Sequence, residues 1–306
     1  MSDGTPAAGI AGLRVALVGY GEVGGTFGAA LASGDAVRSV AAFDVLVADA
    51  SWTPRAQTRA DRDGVALARD IGEAVDGADL VISAVTAPAA GAAAEAIAQA
   101  CRPGAFVLDV NSATPHTKMR SADTVNRAGG RYIEAAVMSA VLPHGLRAPM
   151  LLGGPHAETA LPLMTKLGFN ATIGAATYGV VSAIKLCRSV VIKGMEALAI
   201  ESLLTARRYG VEREVLKSLG ETFPGLDWER QATYFWRRVA QHGKRRADEM
   251  RGAAATVGDA GIEPRMAAAS ADVQAWIAAL AAAGAFAEVA PDAGWRDLAD
   301  CVKRRR

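Results

Sequence analysis

From residue 13 to about 174, short apolar runs alternate with alanine-rich, helix-prone stretches. The runs are Leu13–Val18, Val40–Phe43, Leu80–Val85, Ala105–Val110, Tyr132–Val137 and Met150–Leu152. Most are apolar throughout instead of alternating, which marks strands covered on both faces, and their spacing predicts βαβ units on a mostly parallel sheet. Gly34-Asp35, Arg102-Pro103-Gly104 and Ala128-Gly129-Gly130 punctuate the pattern, each closing a helical stretch before the next strand.

Near residue 175 the rhythm changes. Thr177 to Tyr209 contains no proline, carries an apolar stripe at helical spacing (Val181, Ile184, Val191, Met195, Leu198, Leu203), and stops at Gly210. At about 1.5 Å per residue that helix spans on the order of 50 Å, enough to leave one domain and centre another. Val215–Leu219, Trp228–Met250, Ala253–Ala260 and Met266–Ala283 read as further helices, broken by Pro224-Gly225 and Glu263-Pro264. The fold class is therefore an α/β domain of Rossmann type, doubly wound, followed by an all-helical domain. The divisions are a short arm over 1–12, the α/β domain over 13–175 and the helical domain over 176–306. The tail Lys303-Arg304-Arg305-Arg306 reads as a solvated end.

Composition narrows the partners. The 306 residues are 51% hydrophobic and 21% charged, a globular profile, and Lys+Arg 33 against Asp+Glu 32 leaves a net charge of +1. No global field recruits nucleic acid, and no stretch approaches about twenty uninterrupted apolar residues, so neither nucleic acid nor a membrane is expected. Cys101, Cys187 and Cys301 form no C-x-x-C pair, so no metal site or disulfide framework is indicated. With no presequence pattern in Met1–Gly12, the expected place is the cytoplasm and the expected partner a small molecule.

Gly19-Tyr20-Gly21-Glu22-Val23-Gly24 follows the first strand and opens a helix. The first glycine permits the tight turn, the second lets backbone approach a pyrophosphate, and the third lets the helix pack on the strand, so these six residues are candidate dinucleotide ligands. Asp44 ends the second strand, where a carboxylate accepts from both ribose hydroxyls of NAD and repels a 2′-phosphate. Arg55 and Arg59 lie in the long segment that follows, and either could bind that phosphate or belong to an ordinary solvated loop. The charge argument favours NAD over NADP. Val85-Thr86 and Asn111-Ser112 end two further strands at the carboxyl edge, where ligands of open sheets bind, and extend the cofactor set. Helix capping is a competing role for Ser112 and Thr114. Lys185, about two turns into the long helix, is either a partly desolvated proton-transfer group or a surface lysine lying along its own stem.

With these residues in hand the chain resembles the β-hydroxyacid dehydrogenase family, which includes 6-phosphogluconate and 3-hydroxyisobutyrate dehydrogenases, in a phosphogluconate-dehydrogenase-like branch with a divergent C-terminal domain. Asp109 to Pro115 looks like its strand-end segment, Glu134 to Ser139 like its substrate loop, and Gly179 through Lys185 like its interdomain helix with the catalytic lysine. The resemblance implies an NAD(P)-dependent oxidoreductase acting on the CH–OH group of a small hydroxy acid, with Lys185 as general acid/base. Ser112, Met138, Ser139, Arg188 and His242 would then be substrate-side candidates, His242 against the reading of a basic solvated helix face. Where the family has Ser-Gly-Gly this chain has Met138-Ser139-Ala140, and where Asn-Asn commonly follows the lysine it has Arg188-Ser189. The resemblance also implies a homodimer or higher homo-oligomer through the helical domain. An imine reductase of similar outline and a non-catalytic dinucleotide sensor are the alternatives; the first typically lacks the lysine.

Overall fold

The computed structural model describes residues 12–303. The chain forms two compact units that divide between Ala183 and Ile184. Most of the expected N-terminal arm and the three terminal arginines lie outside the described residues.

In the first unit the elements run β1 (Leu13–Val18), α1 (Glu22–Ala32), β2 (Val37–Phe43), α2 (Thr53–Asp63), β3 (Val65–Leu67), α3 (Ile71–Val75), β4 (Leu80–Ser83), α4 (Ala90–Ala100), β5 (Phe106–Asp109) and α5 (Pro115–Arg127). They continue through β6 (Arg131–Val137), α6 (Val141–His144), β7 (Met150–Gly153), α7 (Ala157–Lys166) and β8 (Ala171–Ala175). One sheet of eight strands results, in the order β3-β2-β1-β4-β5-β6-β7-β8. The strands are parallel except where β6 meets β7. Alternation along each strand feeds two cores. Val15, Leu17, Leu80, Ile82, Leu108 and Ile133 pack on one face with Phe27 and Leu31 of α1, Ala60 of α2 and Met164 of α7. Ala16, Val18, Val81, Val107 and Tyr132 pack on the other with Val75 of α3, Ile97 of α4 and Val125 of α5. The doubly wound α/β architecture is thus present. Strand order reverses between β1 and β4, the switch point at which such sheets bind ligands.

The sequence pattern missed β3 and β8, and the segment after Asp44 read as a possible loop is largely helix. α2 buries only Ala56 and Ala60, an i, i+4 pair too small to write an apolar stripe. β3 has three residues, and β8 is mostly exposed, so neither shows the apolar run that signals a strand.

The second unit is helical, the class expected. The long helix α8 (Val180–Tyr209) begins in the first unit and supplies the second with its leading helix, followed by α9 (Glu212–Thr222), α10 (Trp228–Asp259), α11 (Arg265–Ala282) and α12 (Trp295–Lys303). Gly210, with a φ of +72°, ends α8 as expected. α10 is one helix where the sequence suggested two, because Gly252 inside it costs only about 1 kcal/mol. α12 was not expected. Trp236 and Trp295 are fully buried with Ile200, Leu203, Val239, Ile277 and Leu298, while Leu186, Met250, Ala253, Ala267 and Ala271 form a second cluster.

Candidate active site

The glycine motif sits at the switch point, and the three glycines are required for three different reasons. Gly19 has a φ of +99°, and a Cβ there would lie 2.3 Å from the carbonyl oxygen of Ala84. A Cβ on Gly24 would lie 2.0 Å from the carbonyl oxygen of Gly19, so this glycine lets α1 close on the turn. A Cβ on Gly21 would meet nothing within 4 Å. Turn geometry does not explain Gly21, but room for a ligand does: the open space lies at the N-terminus of α1, where unpaired N–H groups and the helix dipole favour phosphate. The residues present therefore fit a dinucleotide diphosphate. Glu22 is exposed, Val23 half-buried, and Tyr20 buried with its ring beneath the Arg59 guanidinium at 4.1 Å. Burial pushes the Tyr20 hydroxyl up, Arg59 opposing.

Asp44 closes the far side of the turn. Its Oδ2 accepts from Tyr20 N at 2.7 Å and its Oδ1 from Leu46 N at 3.1 Å, so it caps the 3₁₀ turn Val45–Ala48. Each oxygen keeps a lone pair for a further donor. The next two side chains, Val45 and Leu46, are apolar and exposed. Arg59 donates to the carbonyl oxygens of Tyr20 and, at 3.4 Å, Gly21, so it serves the glycine turn; Arg55 is exposed on α2.

Because β1, β4, β5 and β6 are parallel neighbours, Gly19–Gly21, Val85-Thr86, Asn111-Ser112 and Met138-Ser139 all emerge at one edge. The structure thus brings together every first-unit candidate. Behind that edge runs a buried row: Ser83, Asp109 and Glu134 are in register on β4, β5 and β6, and although Asp109 and Glu134 head two of the family-like segments, the sequence assigned none of the three a role. Each has a task. Ser83 Oγ accepts from Asn111 Nδ2 at 2.9 Å, while Asn111 Oδ1 accepts from Val85 N at 2.6 Å. Asn111 is therefore turned into the fold as a brace between two strand ends. Asp109 accepts from Lys118 Nζ at 2.8 Å, from Tyr132 Oη at 2.7 Å and from Asn111 N at 2.9 Å, with Lys118 itself 1% exposed. Burial and the Asp109 charge push the Tyr132 hydroxyl well above its ordinary range, so it stays a donor.

Glu134, fully buried, accepts from Gly179 N and Ser182 N, both at 2.6 Å. These are orphan donors at the start of α8, where Gly179 has no side chain to cap them, so a carboxylate from the sheet caps the helix instead. A polar residue inside an apolar strand run was the available signal for all three. Thr114 caps α5 through Thr117 N at 3.2 Å, the capping role weighed for it. Ser112 is half-buried, Thr86 and Ser139 are exposed, and Met138 is half-buried with its N–H donating to Pro149 O at 2.8 Å.

Lys185, half-buried, stands one turn past Ser182 on α8, and Arg188 is exposed beyond it. Ser189, at the position of a family asparagine, is buried and accepts from Lys193 Nζ at 3.1 Å. α10 runs antiparallel to α8 here, since Lys193 pairs with Glu249 and Glu196 with Arg246. In that register His242 falls on the order of 20 Å along the bundle from the level of Lys185. The structure does not bring His242 to the lysine. Among the described residues no group of three His, Cys, Asp or Glu side chains is placed to hold a metal, and no helix is long and apolar enough to cross a membrane.

The glycine turn at the switch point, the aspartate at the end of β2 and the open space at Gly21 define a dinucleotide-binding domain. Residues 14–174 match the family described as the NAD binding domain of 6-phosphogluconate dehydrogenase, and the chain belongs to that family. Residues 206–277 match a domain of unknown function, DUF1932. A conserved hypothetical protein from Sinorhizobium meliloti 1021 is 34% identical, with 96% of this chain and 97% of that one covered and a TM-score of 0.74. A 3-hydroxyisobutyrate dehydrogenase from Mycobacterium tuberculosis, solved with L-serine, shares the fold at 19% identity, covering 95% of this chain and 99% of its own with a TM-score of 0.69. An imine reductase from Pseudomonas sp. shares it at 18% identity, covering 96% and 100% with a TM-score of 0.55. Membership places this chain among NAD(P)-dependent oxidoreductases.

Proposed function

We propose that the protein is an NAD-dependent dehydrogenase of a small hydroxy acid, with Lys185 as general acid/base. The observation that carries this reading is the open space at Gly21, at the N-terminus of α1 and beside an aspartate already fixed at the end of β2. Asp44 supports NAD, because its carboxylate, with lone pairs to spare, would accept from ribose hydroxyls, and the adjoining Val45 and Leu46 offer no cation for a 2′-phosphate. When bound, the nicotinamide supplies the acceptor for a hydride from the alcohol carbon.

The chain's own residues do the rest. Lys185 in its neutral form takes the hydroxyl proton, and in the reverse direction its ammonium returns that proton to the carbonyl oxygen. Ser112 and Ser139, at neighbouring strand ends, orient the substrate, and Arg188, three residues past Lys185, is the candidate clamp for its carboxylate. The lysine on α8 favours this reading over an imine reductase. The protein acts in the cytosol, a reading its unpaired cysteines support, and it assembles with copies of itself. Support for assembly comes from α8, where Ile184, Val191 and Leu198 are 40%, 61% and 55% exposed and repeat every seven residues, a seam that an identical helix can fill.

A panel of hydroxy acids, with their keto acids and cyclic imines, assayed against NAD and NADP by absorbance of the reduced nicotinamide, tests the proposal. Turnover of a hydroxy acid with preference for NAD is expected. Reduction of imines alone, or cofactor binding without turnover, would contradict it.

A further inference from the structure

Helix α1 carries two glycines beyond those of the motif, Gly25 and Gly28, at positions where alanine would suit a helix better. Both make room for one stack. A Cβ on Gly25 would lie 2.8 Å from Cζ and Nη1 of Arg59, and one on Gly28 would lie 2.8 Å from Cδ1 of Leu17 and 3.5 Å from Cε2 of Tyr20. Arg59 can therefore reach in from α2 and lie over the Tyr20 ring, its Cζ 4.1 Å from the ring centroid. The end of its guanidinium meets backbone: Nη2 donates to the carbonyl oxygen of Tyr20, and Nη1 to that of Gly21 at 3.4 Å. Its Nε is buried and has no hydrogen-bond partner among the described residues. The Nη1–Nη2 edge is thus spent on the turn and the Nε–Nη2 edge is closed off, so neither fork is open to grip a phosphate bidentately.

What the turn gains is direction. A trans peptide unit is planar, with its N–H pointing opposite to its C=O. Holding the Tyr20 carbonyl therefore aims the Gly21 N–H to the other side, and holding the Gly21 carbonyl does the same for the Glu22 N–H. These belong to the first N–H groups of α1, the donors that a helix leaves without an internal partner and that a phosphate at its N-terminus uses. The units before them are pinned as well, since Gly19 N donates to Phe43 O at 2.8 Å and Tyr20 N to Asp44 Oδ2 at 2.7 Å. Gly21 O also accepts from Gly25 N at 3.0 Å within α1, so the arginine matters most at the Tyr20 carbonyl. That carbonyl shares its peptide unit with Gly21, which has no Cβ to restrict its backbone and open space beside it.

The geometry points to Arg59 as a positioning residue for the dinucleotide: by gripping the Tyr20 and Gly21 carbonyls it aims the N–H groups of the turn at the diphosphate, and it acts on NADH and NADPH alike instead of reading the 2′-phosphate. This rests on dinucleotide binding at the glycine turn. The two roles open to the arginine separate in binding. A ligand of the 2′-phosphate matters to NADPH alone, whereas a clamp on the turn matters to both cofactors, because both carry the same diphosphate.

The test is a fluorescence titration of NADH and NADPH against the full-length protein and three variants, Arg59→Met, Gly25→Ala and the double variant, with thermal unfolding of each. Arg59→Met, which keeps an apolar cover on the Tyr20 ring, should weaken both cofactors by about tenfold and keep the ratio of their affinities. Gly25→Ala suits the helix but drives the guanidinium from its place, so it should hold the unfolding midpoint and still weaken both cofactors. The double variant should bind within about twofold of Arg59→Met, since the methyl then has no clamp to displace. Loss of NADPH binding with NADH untouched would make Arg59 a 2′-phosphate ligand and overturn the proposal. Parental affinity in the variants would overturn it too, as would two effects that add in full, because the methyl would then be blocking the cofactor itself. Should Arg59→Met not fold, Gly25→Ala decides: weaker NADH supports the clamp, parental affinity removes it. A parent protein that binds neither cofactor sinks the dinucleotide reading and the clamp with it, whereas a parent that binds and variants that match it sink the clamp alone.

Discussion

At the scale of single residues, the glycine motif was fully legible in the sequence, and the structure assigns each member a cause. Gly24 faces backbone, which cannot yield, whereas Gly21 faces open space. Gly24→Ala should therefore lower stability as well as NADH affinity. Gly21→Ala should leave the denaturation midpoint nearly unchanged and weaken NADH at least tenfold, about 1.4 kcal/mol. Thermal unfolding and NADH fluorescence titration of the two variants check this, and a Gly21→Ala protein that binds NADH normally would place the diphosphate elsewhere. Asp44 was legible too, by its place after the second strand. The roles of Asp109, Glu134 and Lys118 were not, although the two acids stand within otherwise apolar strands and head two family-like segments. Their partners come from residues 109 through 182, and spacing along the chain says nothing about which backbone N–H groups a folded sheet presents to a buried carboxylate. Asn111 shows the converse: its strand-end position was read correctly, but its amide braces Ser83 and Val85.

At the scale of elements, legibility followed apolar area. The central strands and α8 write long unbroken signals, and the structure has them. α2, β3 and β8 bury little, so propensity and tertiary context decide them and the pattern stays silent. Packing also decides what a helical glycine is worth. A Cβ on Gly243 of α10 would lie 2.8 Å from the carbonyl oxygen of Gln274 on α11, whereas one on Gly220 of α9 would meet nothing within 4 Å. Both substitutions to alanine gain helix propensity of about 1 kcal/mol. At Gly243 the close approach of two helices should outweigh that gain, leaving Gly243→Ala destabilised by about 1–2 kcal/mol. Gly220→Ala should be stabilised by about 0.5–1 kcal/mol. Urea denaturation of both variants gives the two signs; stabilisation at Gly243 would mean that α10 and α11 are not so close.

At the scale of the whole molecule, the proposed function draws on residues of both units. The first holds the glycine turn, Asp44 and the convergent strand ends; Lys185, the proposed general acid/base, belongs to the second. The seven-residue stripe on α8 bears on assembly. Val191→Asp should lower the mass measured by light scattering to that of one chain, and an unchanged mass would place any interface elsewhere. The account as a whole depends on Lys185. With the substrate found by the panel, Lys185→Met should lower turnover by about 10²–10⁴-fold while NADH affinity stays within about twofold of the parent. A variant that keeps parental turnover would contradict the account at its centre.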